Sequence, residues 1–157
     1  MILATPDGQK FSLHVERYEF PDEELIPTDD NPATDFDTGR FLMVTVSINT
    51  PEGEWNATRP EMTTTELERL ADWLETVLKG DPSCDGVYFT ERDLEIGFDE
   101  GSNSLMVHLF WDFLPQWMAK DSHLTIAFQL ERINLPAAIS SLRSQLERFP
   151  GRPMPEG

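Results

Sequence analysis

The sequence predicts an α+β fold, with a largely antiparallel sheet or pair of sheets of about eight strands and two helices in the order ββββα-ββββα. Three observations lead to this class. Apolar and polar residues alternate in several short segments, most clearly in the run FLMVTVSIN at residues 41–49. The apolar period changes twice to that of an amphipathic helix, after residue 63 and after residue 134. Helical crossovers between strands are too few for a doubly wound parallel sheet.

The first four predicted strands form two hairpins. Ile2–Ala4 and Phe11–Tyr18 flank the turn Pro6-Asp7-Gly8, and Phe11–Tyr18 has alternating apolar residues. Phe41–Asn49 leads through a Thr-Pro-Glu-Gly turn into a partner strand at Glu54–Thr58. Because each turn is short, we expect the strands that it joins to be antiparallel neighbours.

The first predicted helix has an apolar stripe with spacing i, i+3, i+4 and i+7. Thr63 and Glu66 have the spacing of a capping box, and Gly80 is a natural stop. Trp73 lies at the edge of the stripe, where its ring can cover the end of a sheet. The stripe consists of Leu67, Leu70, Ala71, Leu74, Val77 and Leu78.

Four more strands and a second helix complete the predicted fold. The third of these strands is apolar on both faces, which is typical of a central strand covered on both sides. The fourth alternates and has one solvent-exposed face. Asn134 can cap the last helix, with Pro136 in its first turn. We expect a single α+β domain at residues 1–152 and a short Pro-rich tail at 153–157; the four strands are Val87–Thr90, Leu94–Phe98, Leu105–Phe113 and His123–Glu131.

Composition excludes several classes of protein. The 157 residues carry 12 basic and 29 acidic side chains, a formal charge of −17 at pH 7, which argues against a protein that binds nucleic acid through phosphate contacts. No apolar run reaches the roughly 18–20 residues of a membrane span, and the first residues have no signal-peptide pattern. A single cysteine cannot form an internal disulfide, so we expect a cytoplasmic protein.

The acidic residues are concentrated in one proline-broken segment. Residues 19–37 contain eight acids and neither Lys nor Arg, and three prolines make this segment a long loop rather than a helix or a ladder strand. A run of like charges such as this is most often a solvated, mobile loop with no binding role. The functional interpretation is a surface that captures a basic partner, with Trp117 as an apolar anchor because it follows a strand-ending proline. The candidate contact acids are Asp22, Glu23, Glu24, Asp29, Asp30, Asp35 and Asp37.

Motifs of known enzymes are missing from the sequence. There is no nucleophile elbow, phosphate loop, dinucleotide-binding glycine set or zinc-protease helix. His14, His108 and His123 stand far apart in predicted strands, and His108 shares a face with apolar residues, as a packed or rim histidine does. Cys84 lies among carboxylates, which disfavour a thiolate. We therefore expect no catalytic residue.

Two acidic motifs raise the question of a cation. Residues 81–86 match the first half of an EF-hand loop, but its twelfth position, which needs a bidentate Glu, is Arg92. Asp35 and Asp37 form a carboxylate pair with no third ligand nearby in the sequence. Carboxylates suit Ca²⁺ or Mg²⁺, so a weak site stays open, but we expect neither a metal nor a cofactor.

Several short motifs occur together in a particular order. They are Tyr18-Glu19-Phe20-Pro21-Asp22 before the acidic loop, Thr50-Pro51-Glu52-Gly53-Glu54-Trp55, Phe89-Thr90-Glu91-Arg92-Asp93-Leu94-Glu95, Pro115-Gln116-Trp117 and Phe149-Pro150-Gly151-Arg152. In this order and spacing the chain resembles the WapI-family immunity proteins over about residues 11–152. These are small bacterial proteins that neutralise the toxic domains of contact-dependent polymorphic toxins.

The resemblance implies a non-catalytic immunity protein that binds a cognate toxin domain. The negative charge suits a basic toxin, and a nuclease is one such partner, because its cleft must hold phosphates. Direct contact with nucleic acid or a membrane is not expected. Two alternatives stay open from the residues alone: a carboxylate-based, metal-dependent enzyme, and an acidic adaptor or nucleic-acid mimic for another basic partner.

Overall fold

The computed structural model describes residues 1–20 and 41–152, which form two four-stranded antiparallel sheets, each followed by a helix. In both sheets the strands lie side by side in chain order, so each strand pairs with its neighbour along the chain. The predicted α+β class and the order ββββα-ββββα are confirmed. The elements are β1 (Ile2–Ala4), β2 (Lys10–Tyr18), β3 (Phe41–Thr50), β4 (Gly53–Thr63), α1 (Thr64–Leu78), β5 (Gly86–Tyr88), β6 (Leu94–Asp99), β7 (Ser104–Leu109), β8 (Leu124–Gln129) and α2 (Leu135–Arg148).

Both helices begin at the residues that the sequence predicts. The Thr63 hydroxyl accepts a hydrogen bond from the Glu66 N–H (3.2 Å), and the Glu66 carboxylate accepts one from the Thr63 N–H (2.8 Å), so the capping box is complete. The Asn134 side chain accepts from the Ala137 N–H (3.0 Å) at the start of α2. Within the described part of the chain, neither helix is long and apolar enough to cross a membrane.

One hydrophobic core joins both sheets and both helices. It takes alternate residues from each strand and the apolar stripes of α1 and α2. A buried polar contact holds α2 against β2, where the Gln145 carboxamide accepts from the Val15 N–H (2.6 Å) and donates to the Leu13 carbonyl (3.3 Å). The amide of Gln145 therefore pairs with the edge of β2 in the way that a neighbouring strand would.

The second sheet differs from expectation at its central strand. The strand predicted to reach Phe113 ends at Leu109, because Leu109 pairs with Leu124, the first residue of β8, and the ladder has no partner beyond it. Trp111 then takes a left-handed backbone conformation (φ 39°) and starts a 3-10 helix at Trp111–Phe113. The expectation that both faces are covered is wrong as well. Met106 and His108, on the outer face, are only half-buried.

β4 extends beyond the predicted end at Thr58 and contains a β-bulge. Leu42 of β3 pairs with Met62, and the next residue, Met43, pairs with Pro60. Glu61 is therefore the extra residue of the bulge, and no residue of β3 lies opposite it. Its side chain reaches the second sheet, where its Oε1 accepts a hydrogen bond from the Leu94 N–H (3.0 Å). The bulge thus places a carboxyl group in the seam between the two sheets.

Candidate partner-binding surface

The densest acidic region of the described chain surrounds the β5–β6 hairpin. Residues 81–100, which we call the acidic hairpin, contain seven carboxylates and one basic residue, Arg92. The loop before β5 and the turn after β6 meet at one end, where the Phe98 N–H donates to the Asp85 carbonyl (2.8 Å). Carboxylates therefore lie at both ends of this hairpin and on its outer face. They are Asp81, Asp85, Glu91, Asp93, Glu95, Asp99 and Glu100.

None of these seven carboxylates forms an ion pair within residues 1–20 and 41–152. The arginines that do form ion pairs there contact acids elsewhere in the fold. Arg143, for example, joins Asp72 (2.6 Å) and Glu75 (2.8 Å) of α1. Among the described residues, therefore, the negative charge of the acidic hairpin is not neutralised by ion pairs.

The seam between the sheets holds the most perturbed carboxyl group. Glu61 is 0% exposed, and its Oε2 has no hydrogen-bond partner among the described residues. Burial, and then the charge of Asp93, raises the pKa of Glu61 to about 9, because a carboxylate is poorly stabilised away from water and near another negative charge. Glu61 is consequently protonated at pH 7.

Asp93 links this buried carboxyl group to the surface. Its pKa is raised to about 6, first by burial and then by the charges of Asp112 and Glu91. Arg59 is the cation that opposes this effect, and its Nε lies 3.5 Å from an oxygen of Asp112. This exposed ion pair contributes little to stability. The repulsion among these acids is therefore only partly offset by the fold.

The root of the acidic loop lies beside the acidic hairpin. At that root the Glu19 N–H donates to the Phe41 carbonyl (2.8 Å). Burial, and then the charge of Glu91, raises the pKa of Glu19. The charge of Glu91 is felt at Glu19, so the root of the loop lies within electrostatic range of the acidic hairpin. The seven loop acids singled out above lie outside the described residues.

Trp117, the eighth predicted contact residue, lies at the other end of the first sheet. Its ring packs over Gly53 (3.4 Å from an ideal Cβ there) and meets Trp55 edge-on, with ring centroids 6.5 Å apart. It is 47% exposed and borders a groove of about 520 Å³ beside β8. Trp117 is thus partly packed and partly available.

The root of the acidic loop and Trp117, which belong to the two parts of the predicted contact surface, lie at opposite ends of β3. The acidic loop leads into the first residue of β3, Phe41, whereas Trp117 packs beside the turn that follows the last, Thr50. Ten strand residues at about 3.3 Å each separate these ends by about 30 Å. The described structure therefore does not place Trp117 beside the root of the loop.

The described residues offer little for catalysis. A groove of about 780 Å³ lies between α1 and the acidic hairpin and is lined by Cys84 but by no histidine, so Cys84 has no imidazole base there. His108 and His123 instead flank the ring of Phe110, with centroids 6.5 and 5.7 Å away. Within residues 1–20 and 41–152, no three His, Cys, Asp or Glu side chains gather in a way that could hold a metal ion.

Glu61, Asp93 and Glu95 were missed as site candidates from the sequence. The pattern at residues 59–63 gives no sign of the bulge, and Glu61 and Asp93 are 32 positions apart in the chain. One available signal was the charge count, since residues 81–100 hold seven acids and one basic residue, nearly as one-sided as the eight acids without a basic residue at 19–37. Alternation in β6 also predicts that Glu95 faces away from Leu94 and Ile96, as it does.

Comparison with known proteins gives one match. The model of the immunity protein WapI-like family matches residues 1–150, nearly the whole chain. Neither the curated proteins nor the solved structures gave a match.

Proposed function

Since the chain belongs to the immunity protein WapI-like family, we propose that it binds the toxic domain of a cognate polymorphic toxin and blocks it without catalysis. The observation that carries the proposed mode of binding is the acidic hairpin, whose seven carboxylates have no ion-pair partner in the described fold. We place the protein in the cytoplasm, where an exposed single cysteine such as Cys84 stays reduced.

Unneutralised carboxylates lower the stability of a fold through mutual repulsion, and a basic partner removes that effect. The raised pKa values of Glu19, Glu61 and Asp93 indicate where the repulsion and burial are strongest. A basic toxin surface docking there brings the compensating charge. The same field attracts the toxin from a distance and raises the association rate. A nuclease toxin suits this role, because a phosphate-binding cleft is basic.

The acidic loop and the acidic hairpin form one docking surface in this proposal. Glu19 at the root of the loop and Glu91 of the hairpin are close enough for the charge of one to raise the pKa of the other. A typical interface of about 800 Å² per partner is roughly 30 Å across. An interface of this extent covers the hairpin and the base of the loop. Trp117, about 30 Å from the root of the loop, lies at the edge of such an interface, so we treat it as a separate contact.

Growth rescue tests the role. The toxin domain, identified by recovering the protein from its own cells, is co-expressed with it in a sensitive host. We expect co-expression to restore growth, and purified protein to bind the toxin domain with one-to-one stoichiometry. Continued killing despite a stable and well-expressed immunity protein contradicts the proposal. Rescue also separates this role from the open alternative of an adaptor for another basic partner, which would not protect the host.

Association kinetics test the docking surface. Lysine replacement of Asp22, Glu23, Asp29 and Asp30 should slow association with the toxin domain at least tenfold at low salt, and salt near 0.5 M should remove the difference. The control makes the same change of net charge with four exposed acids elsewhere, Glu16, Glu68, Asp121 and Glu147, replaced by lysine. Equal slowing by the loop and control replacements would show that only net charge matters and would remove the loop from the surface.

A further inference from the structure

The outer face of the second sheet is open to solvent and has an ordered chemistry. Strand register aligns its residues in two rows that cross all four strands. One row contains polar and aromatic side chains, and the other contains mostly residues with little or no side chain. The rows are Tyr88, Glu95, His108 and Thr125, and beside them Gly86, Gly97, Met106 and Ala127.

Gly86 and Gly97 of the second row line a hollow in this face and put no side chain into it, and the backbone approaches both glycines closely. A Cβ atom at Gly86 would lie 2.7 Å from the Ile96 carbonyl oxygen, so no larger residue fits there without a backbone shift. A Cβ at Gly97 would lie 3.3 Å from the Asp85 carbonyl oxygen. The hollow has a volume of about 320 Å³, and both glycines are among the residues that line it. Tyr88, 59% exposed, forms one of its walls.

The charges around the hollow are all of one sign. Asp85, Glu95 and Asp99 line it, and none of its lining residues is Lys or Arg. Burial lowers the pKa of His108, so the imidazole opposite Glu95 is neutral at pH 7 and does not cancel the carboxylate. Asp99 is held in place by Ser102, whose N–H donates to it (3.2 Å). Glu95 has no ion-pair partner in the described structure.

These features complement one kind of side chain. A guanidinium group is planar, stacks on aromatic rings and donates two parallel hydrogen bonds to the oxygens of a carboxylate. Its aliphatic stem can lie along the glycine backbone and against Met106. A neutral apolar side chain would leave Glu95 desolvated without a partner, which is unfavourable.

We propose that this hollow receives an arginine side chain of the basic partner, with the guanidinium group between the Tyr88 ring and the Glu95 carboxylate. The inference rests on the proposed function in taking that partner to be the toxin domain. It extends the docking surface from the ends of the acidic hairpin to the outer face of β6 and β7.

A small-molecule titration tests the hollow without the toxin. The probe is N-acetylarginine amide, its matched control is the neutral N-acetylcitrulline amide, and the readout is the ¹⁵N–¹H spectrum of the full chain at constant ionic strength. We expect the arginine probe to shift the Gly86 and Gly97 signals at least threefold more than citrulline does. Glu95→Gln should reduce these shifts at least threefold, and Glu147→Gln should not. Equal shifts with both probes, or no shift in the hollow, overturn the proposal.

A second experiment uses the toxin domain that growth rescue identifies. Glu95→Lys puts a tethered cation into the hollow and should weaken toxin binding at least tenfold more than Glu147→Lys, which makes the same charge change on α2. Tyr88→Ala should weaken binding at least fivefold, and Tyr88→Phe, which keeps the ring, less than twofold. Thermal unfolding confirms that each variant is folded.

The two proposals fail in different ways. If the toxin domain binds wild type and all four variants with equal affinity, the hollow is not its contact, and the neutralising function stands. If the arginine probe binds in the hollow but no toxin domain is bound or neutralised, the arginine site stands and the proposed function fails.

Discussion

Replacing Glu61 by glutamine should change how stability depends on pH. The pKa of Glu61 is about 9 in the folded protein against 4.5 ordinarily. Between these values the folded chain keeps a proton that the unfolded chain has released. The free energy of unfolding therefore falls as pH rises, by about 1.4 kcal/mol per pH unit. Between pH 5 and pH 8 this amounts to about 4 kcal/mol.

Glutamine has nearly the same shape and no proton to release. Its oxygen can keep the hydrogen bond from the Leu94 N–H, but its NH₂ group takes the position where Oε2 has no partner. The protonated Oε2 of wild type already carries one unpaired donor, so the NH₂ group adds one more, and an additional unsatisfied buried donor costs about 1–3 kcal/mol at every pH. Glu61→Gln should therefore be less stable than wild type at pH 5 and more stable at pH 8. We expect the two stability curves to cross between these values.

Urea denaturation at pH 5, 6, 7 and 8 and constant ionic strength measures this difference. The general repulsion among the other acids is present in both proteins and cancels when the curves are subtracted. Asp93, with its pKa near 6, also remains in both. A difference that stays constant within about 1 kcal/mol would refute the reasoning, because it would mean that Glu61 is ionised in the folded protein. Carboxyl ¹³C chemical shifts give an independent check on its protonation.

Three further changes test single contacts. Gln145→Leu should lower the free energy of unfolding by about 1–3 kcal/mol, because the Val15 N–H loses its buried acceptor, and urea midpoints measure it. Thr63→Ala removes one half of the capping box with Glu66 and should cost about 1 kcal/mol, seen as a lower melting temperature. Trp117→Ala should weaken toxin binding by about 2 kcal/mol or more in calorimetry if Trp117 is an anchor, and an unchanged affinity removes it from the contact surface.

Local pattern was enough to locate the helices but not every strand end. Thr63 and Asn134 cap the helices as their spacing predicts, since a cap is a contact between residues three positions apart. The early end of β7 at Leu109 depends instead on where β8 begins. A strand ends where its partner is missing, and the partner's position is not encoded in the strand's own sequence.

The acidic surface, like the strands, can be predicted only in part from the sequence. The sequence alone gives three of its properties: the charge of −17, the excess of acids at residues 81–100 and the likeness to an immunity family. Which carboxylates lack an ion-pair partner is decided by the positions of the arginines. Arg143, on α2, forms ion pairs with two acids of α1 that lie about seventy positions earlier in the sequence.

The sequence by itself thus determined the fold class, the helix ends, the excess of negative charge and the family, because periodicity, capping and composition are properties of neighbouring residues or of sums over the chain. Only the tertiary structure decided that Glu61 is buried against Asp93, that two glycines line a hollow beside Glu95, and that Trp117 lies about 30 Å from the root of the acidic loop. Each of these depends on strand register, a bulge or the docking of one sheet against the other. Such contacts join distant segments, and their energies arise only when the core brings the segments together.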